Sequence, residues 1–460
     1  MKSDNLTMKI EKLPEYPVRE QGLIINRNGL VLIGMICFIM CLACPGLIAN
    51  DNPDTEYDAF RETGNGRVSV GVARINITPS VPVVMAGYAS RTEPFKGVND
   101  ELYATATVFD DGVKRAVIIT AEVLGFSHES WKELAERIEH EAGIQKKYVL
   151  LAPVHNHGAP STRAYGNDAG ENLIAYNAEL RDKLVAVTRE ALANLQPALL
   201  GAGKGICKMS MNRRALNANG GIRIGRNPYG ACDHEVGVVR IDDADGNPFS
   251  LFVNWPTHAT VMGWQNYLIT GDWPGAARRF IENEYSSTVV AAITAGASGD
   301  IDPIYRVRPD FRESETEEIG IILGREVVRV AGDIRTFSAG SVNSSQRVIT
   351  LSGKVPGGDY MAGAAFEPGP DVEVRLSVLR VGNIIFAGIS GELFTEIGME
   401  IKQLSPYKNT IVVTHCNGSS GYLITDKAYE EGGYEVSATR AMPGAEKVIV
   451  RNLVDMINEI

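Results

Sequence analysis

"RAVIITAEVLGFSHESWKELAERIEHEAGIQKKYVLLAPVHNH", residues 115–157, decides the fold. Its first part, Arg115 to Val123, is β-branched and apolar and reads as a strand. Ser127 then offers an N-cap and Gly143 a helix end, and between them Trp131, Leu134, Ala135, Ile138 and Ala142 recur on one helical face. Val149 to Ala152 form a second apolar run with no polar alternation, the pattern of a strand covered on both faces. Strand, crossover helix and strand require a parallel pair, so the expected class is α/β: mixed β-sheets flanked by helices, with an active site at the carboxyl ends of strands. Two further amphipathic helices are expected at Ala175–Leu195 and Gly444–Ile460.

The quoted stretch ends in His155 and His157. Side chains two apart on extended backbone point the same way, so both rings can enter one pocket. Three other apolar runs end in polar clusters in the same manner. "SLFVNWPTHATVMG" carries His258, "TVVAAITAGASGDIDP" carries Asp300 and Asp302, and "NIIFAGISGELFTEIG" carries Glu392. If all four clusters face one crevice, His155, His258 and Glu392 make a two-histidine, one-carboxylate set suited to zinc. Zinc lowers the pKa of bound water, and His157, beside the metal rather than on it, is then placed to move a proton from water to the leaving group. Taken singly, each residue has a plainer reading: His258 as a core histidine, Glu392 as a charge at a helix start. Ser298 in "GASGD" misses the nucleophile-elbow spacing by one residue, and "GAGKGI" at Gly201 lacks the continuation of a phosphate loop. His128, His140 and His234 read as surface residues.

The chain has 460 residues and a formal net charge of -11 with no Lys/Arg run, which excludes nucleic acid as an expected partner. Cys37, Cys41 and Cys44 lie in an apolar N-terminal segment, leaving Cys207, Cys232 and Cys416 in the body, enough for one disulfide but not for a framework. That segment, Gly29 to Ala49, follows Arg19 and Arg27 and precedes Asp51, Asp54 and Glu56, the charge order of an export signal or anchor. The expected organisation is a signal peptide or N-terminal anchor over 1–49, a linker over 50–66 and one domain over 67–460. The expected location is exported: periplasmic, secreted or envelope-anchored.

Eight pieces in order carry a resemblance: "MAGYASR", "PVHNHGAPS", "MNRRALN" followed by "NPYG", "NWPTHATVMG", "TGDWPGAARRFIE", "ASGDIDP", "SGELFTEIG" and "NGSSGYLITDKAYEEGGYE". From about Val68 to the C-terminus the chain resembles the neutral, non-lysosomal ceramidases, a family of zinc amidohydrolases. The resemblance implies His155, His258, Glu392 and Tyr422 as zinc ligands, His157 as the catalytic histidine, Arg213 as a substrate-site arginine and Tyr434 as a pocket tyrosine. It also implies a lipid amide substrate, and with it association with a membrane surface. The family pattern G-D-x-S-P-N becomes Gly299-Asp300-Ile301-Asp302-Pro303-Ile304 here, so Asp302 stands where the family has its active-site serine, and H-T-H-S-G-P-G becomes H-N-H-G-A-P-S.

The expected function is therefore hydrolysis of an N-acyl amide bond by water that zinc activates. Two alternatives stand beside it: the same chemistry on a polar acylated or amide-linked carbohydrate, which Asp302 favours, and a non-catalytic envelope protein that binds a ligand.

Overall fold

Residues 68–163, 170–307, 313–358 and 364–460 are described by the computed structural model, and all lie in one compact unit, Phe60–Ile460. The segments expected as export signal or anchor and as linker fall outside them. Among the described residues no helix is long and apolar enough to cross a membrane.

The first sheet takes β1 (Ser69–Asn76), β2 (Tyr103–Asp110), β3 (Arg115–Ala121) and β4 (Val149–Pro153) in the spatial order β4-β3-β2-β1, with Gln196–Pro197 at the β1 edge. The β1–β2 and β2–β3 pairs are antiparallel and β3–β4 is parallel, as the crossover required. The crossover is α1 (His128–Ala142): Ser127 accepts the Ser130 N–H at 3.1 Å and Gly143 turns out at φ 68°. Trp131, Leu134, Ala135 and Ile138 are buried as the periodicity predicts. The second expected helix is α2 (Glu171–Ala193), a turn earlier than predicted at its start.

The same plan recurs twice. β5 (Leu199–Ile206), β6 (Glu235–Asp242), β7 (Pro248–Trp255) and β8 (Val290–Ala295) form a sheet in which β5–β6 and β6–β7 are antiparallel and β7–β8 is parallel across helix α3 (Asp272–Glu284). β9 (Val342–Lys354), β10 (Pro368–Val381), β11 (Ile384–Ile389) and β12 (Asn409–Val413) repeat it, with β11–β12 parallel across α5 (Thr395–Leu404). Helix α4 (Glu313–Asp333) packs on β5 and β6. The glycines of "GAGKGI" serve that contact: a Cβ on Gly201 would lie 2.3 Å from the Arg335 carbonyl oxygen, so only a bare backbone fits. The last helix, α6 (Ala445–Glu459), docks Ile449, Leu453, Met456 and Ile457 as its periodicity implied. Each sheet thus carries a parallel pair whose carboxyl ends are followed by a polar loop, and these loops meet.

Candidate active site

Backbone pairing brings the loops together. The loop after β4 and the loop after β7 join through a parallel bridge between Asn156 and Ala259, with the His157 N–H donating to the Ala259 carbonyl at 3.1 Å. The His258 N–H donates to Ile301, and Ile301–Pro303 pairs with Ser210–Leu216. Glu392–Leu393 runs parallel to Tyr422–Leu423 with Glu392 opposite Tyr422. Four chain-distant segments therefore fix their side chains through main-chain register.

Four donor atoms converge. His155 Nε2 lies 3.4 Å from His157 Nε2, and Glu392 Oε2 lies 3.5 Å from His155 Nε2 and 3.4 Å from His258 Nε2. The other nitrogens of two rings are already engaged: His155 Nδ1 faces the Leu124 carbonyl at 3.0 Å, and His258 Nδ1 faces Ser298 at 2.7 Å and Ile301 at 3.1 Å. A nitrogen facing a carbonyl must be the protonated one, so both Nε2 atoms present lone pairs to the centre. At these separations Glu392 Oε2 makes no good hydrogen bond and is buried without a partner. Lone pairs packed against lone pairs and a carboxylate are stable only around a cation or a proton. The buried group His155, His157 and His258 is accordingly able to hold a metal ion, with Glu392 supplying the negative charge.

The titrations follow from this crowding. Burial, together with the neighbouring imidazoles of His155 and His258, holds the His157 ring well below its ordinary pKa. Burial and the Arg213 charge lower His258. Burial pushes the Glu392 carboxyl up, but His155 and His258 facing it bring it well below the ordinary range.

Local backbone is bent to serve the site. His155 sits at φ 58°, a left-handed conformation uncommon outside glycine, two residues past the end of β4. Gly87, in "MAGYASR", has φ 94°, and a Cβ there would fall 2.4 Å from His157 Nδ1; this glycine makes room for the ring. Tyr88 stands edge-on to His157 at 5.0 Å. The Trp273 indole N–H donates to the His258 carbonyl at 2.9 Å, so the base of α3 props that loop.

Beside the donors lies a cage of charges. Arg213 gives its Nε to Glu435 at 2.8 Å and its Nη2 to the Tyr422 hydroxyl at 3.0 Å, while Nη1 lies 3.4 Å from Asp302 and 3.3 Å from His258 Nε2. Glu435 spends its second oxygen on Arg214 at 2.9 Å. Asp302 also pairs with Arg306. Burial and the Glu392 charge push the Tyr422 phenol well above its ordinary pKa, against the lowering effect of Arg213. Tyr434 packs edge-on to Tyr422 at 5.8 Å and is 49% exposed, which puts it at the mouth.

Of the residues singled out in the sequence, His155, His157, His258 and Glu392 converge at the centre, and Arg213, Asp302, Tyr422 and Tyr434 lie around it. Ser298, the rival nucleophile, contributes its carbonyl to His258, while its buried hydroxyl has no partner among the described residues. Two residues were missed. His415, at φ 56° after β12, stacks on His155 with ring centroids 3.8 Å apart. The same signal of an apolar run ending in a histidine would have found it. Glu435 carried no such signal. Of the histidines read as surface residues, His140 is exposed. His128 is not: its Nδ1 is buried, and a Cβ on Gly418 would lie 2.2 Å from it, because the top of α1 packs under the 415–422 loop. His234 is half-buried, with Ser210 Oγ at 3.2 Å from its Nδ1. Cys207, Cys232 and Cys416 are unbridged.

Comparison with known proteins agrees with this geometry. Residues 68–310 match the family described as neutral/alkaline non-lysosomal ceramidase, N-terminal. The chain is 24% identical over 351 residues to the neutral ceramidase of Pseudomonas aeruginosa, covering 71% of this chain and 49% of that one. It is also 24% identical over 261 residues to neutral ceramidase B of Dictyostelium discoideum, covering 53% and 36% respectively. The chain therefore spans about half or less of the length of the curated relatives it matches. The crystal structure of the P. aeruginosa neutral ceramidase superposes with a TM-score of 0.73 at 19% identity, covering 85% of this chain and 74% of that one. A ceramidase complexed with C2 gives a TM-score of 0.72 at 19% identity, with coverage of 85% and 75%.

Proposed function

The chain belongs to the neutral/alkaline non-lysosomal ceramidase family, and from that premise we propose that it is a zinc-dependent amidohydrolase that cleaves an N-acyl amide with water. One observation carries the reading: the unpartnered Glu392 Oε2 faces two imidazole Nε2 lone pairs at 3.4 and 3.5 Å. His155, His258, Glu392 and Tyr422 would hold the ion. When bound, it supplies Lewis acidity toward the carbonyl oxygen and a water acidic enough to ionise near neutral pH.

The rest is the work of the chain. His157, kept neutral by burial, accepts the proton that water loses and delivers it to the departing amide nitrogen. Arg213 is committed to Glu435, Tyr422 and Asp302, and so fixes the position of the Tyr422 hydroxyl. Tyr434, at the mouth, is placed to donate to the developing oxyanion. Water addition, proton transfer and C–N cleavage then leave a carboxylic acid and an amine.

The relatives are named neutral ceramidases, which makes an N-acyl sphingoid or related lipid amide the first substrate class, met at a membrane surface. The buried Asp302 with its two arginines favours a second class, polar acylated or amide-linked carbohydrates. The N-terminal segment, with cations before it and acids after it, supports export with 1–49 as signal or anchor and 67–460 as the catalytic domain. The test is a panel of ceramides and N-acylated amino sugars assayed with and without a chelator. Turnover that the chelator abolishes and zinc restores supports the reading; stoichiometric zinc without hydrolysis of any amide or ester would instead leave a ligand-binding protein.

A further inference from the structure

Resting on the hydrolase reading, we propose that Arg91 is a positioning residue for His157, holding the proton-transferring ring in place through its backbone and the groups packed against it. Something must hold that ring, because no hydrogen bond does. His155 and His258 each turn Nδ1 to a main-chain carbonyl, whereas His157 Nδ1 is buried without a partner among the described residues. Its Nε2 is one of the converging atoms, 3.4 Å from His155 Nε2. The ring is therefore oriented by packing: Tyr88 stands edge-on to it at 5.0 Å, and Gly87 leaves the space in which it sits.

Arg91 assembles that packing. It is 6% exposed, and among the described residues no carboxylate pairs with it; its guanidinium is spent on four main-chain carbonyls instead. Nη1 donates to His157 itself at 2.5 Å and to Ala86 at 3.1 Å, Nη2 to Gly263 at 2.8 Å and Nε to Trp264 at 3.2 Å. The guanidinium also lies over the Tyr88 ring, 4.8 Å from its centroid, and the Tyr88 hydroxyl donates to the Met262 carbonyl at 3.2 Å. Three of the Arg91 contacts bear directly on His157: its own carbonyl, the carbonyl before Gly87, and the ring that edges it. The bonds to Gly263 and Trp264 anchor the same fork in the loop that leaves His258, so the two histidines keep one spacing. A buried guanidinium without a counter-charge is costly to desolvate, which argues against a merely space-filling role. Lysine has the charge but not the planar fork, and could serve only part of the carbonyl set.

The experiment is a double-mutant cycle, run on an amide from the ceramide and N-acyl amino sugar panel that the wild type turns over. Arg91→Met is expected to lower kcat by about 10- to 100-fold with KM within about 3-fold, the penalty of a reacting group displaced by about an ångström, while zinc is retained. In the His157→Ala background the same substitution should cost less than about 3-fold, because the residue through which Arg91 acts is already gone. Arg91→Lys should fall between the wild type and Arg91→Met. Histidine-labelled protein gives a readout without turnover: the His157 ring resonance, identified by its loss in His157→Ala, should shift in Arg91→Met while that of the exposed His140 stays. Equal losses in the two backgrounds, or an unmoved His157 resonance, overturns the inference while hydrolysis stands. If no amide or ester is cleaved yet the resonance shifts, the hydrolase reading fails and the positioning of His157 by Arg91 stands; with neither turnover nor a shift, both fall. Loss of the fold in both Arg91 variants would make Arg91 a core residue and overturn the inference as well.

Discussion

Two neighbouring regions of this molecule handle buried charge in opposite ways. Around Arg213 the charges are paired: Glu435 bridges two arginines, and Arg213 spends its Nε and both terminal nitrogens on Glu435, Tyr422, Asp302 and His258. A few ångströms away, the Nε2 atoms of His155 and His157 and a carboxylate oxygen face one another with nothing between them, and only His258 Nε2 is reached by Arg213. The Glu392 side chain is the more exposed of the two carboxylates, at 19% against 1% for Glu435, yet its Oε2 is itself buried, so solvent does not answer it. A saturated network is a scaffold, whereas a cluster of unanswered donors is preserved only where another charge is to be received. The contrast separates the groups expected to hold structure from those expected to do chemistry.

The contrast breaks most visibly at Glu392. Glu392→Ala removes the only carboxylate among the converging atoms, and hydrolysis is expected to fall by at least about 10⁴-fold, with zinc add-back failing to restore it, since the ion's contribution amounts to several kcal/mol of charge stabilisation. A variant that keeps its rate would show that the unanswered atoms are not the reactive ones. Glu435→Ala strikes the saturated side. It strands two buried arginines, and denaturant unfolding should report a loss of about 3–5 kcal/mol; an unchanged midpoint would mean the cage is not structural. His157→Ala lies on the border between the regions. Metal content is expected to persist while the rate drops by about 10²–10⁴-fold, as for a general acid-base group. Loss of zinc together with activity would make His157 a ligand instead.

The smallest effect is electrostatic. Burial pushes the Asp300 carboxyl up to about 7, although it accepts from Thr395 N–H and Asn212 Nδ2. The folded chain then holds this proton more tightly than the unfolded chain does. Its contribution to stability is full below the ordinary aspartate range and is lost as pH rises through about 7. Asp300→Asn should flatten the pH dependence of unfolding between about pH 4 and 7, by no more than roughly 1.4 kcal/mol per pH unit. An identical slope in the variant would show that Asp300 does not titrate there.

Much of this was legible in the chain because local signals agreed with the global fold. The β3-α1-β4 unit could be read from a cap, a stop and one helical face, and four apolar runs announced their polar ends. Those ends hold His155, His258, Asp302 and Glu392. What periodicity does not encode is register across distant strands: that Glu392 lies opposite Tyr422, or Asn156 against Ala259, follows from pairing that no short window contains. Glu435 sits in an acidic stretch where one carboxylate looks like its neighbours, and only the approach of two arginines marks it. Asp302 was legible as a departure but not as a partner, because Arg306 is its neighbour only once the chain has turned.

The central claim is that the unanswered donors exist to hold one divalent ion. Zinc titrated into metal-stripped protein by calorimetry, with His258→Ala alongside, tests it most directly. One ion bound per chain by the wild type, with affinity lost in the variant while the fold is retained by circular dichroism, is the predicted result. Zinc that fails to bind, or that binds the variant as tightly as the wild type, would contradict it.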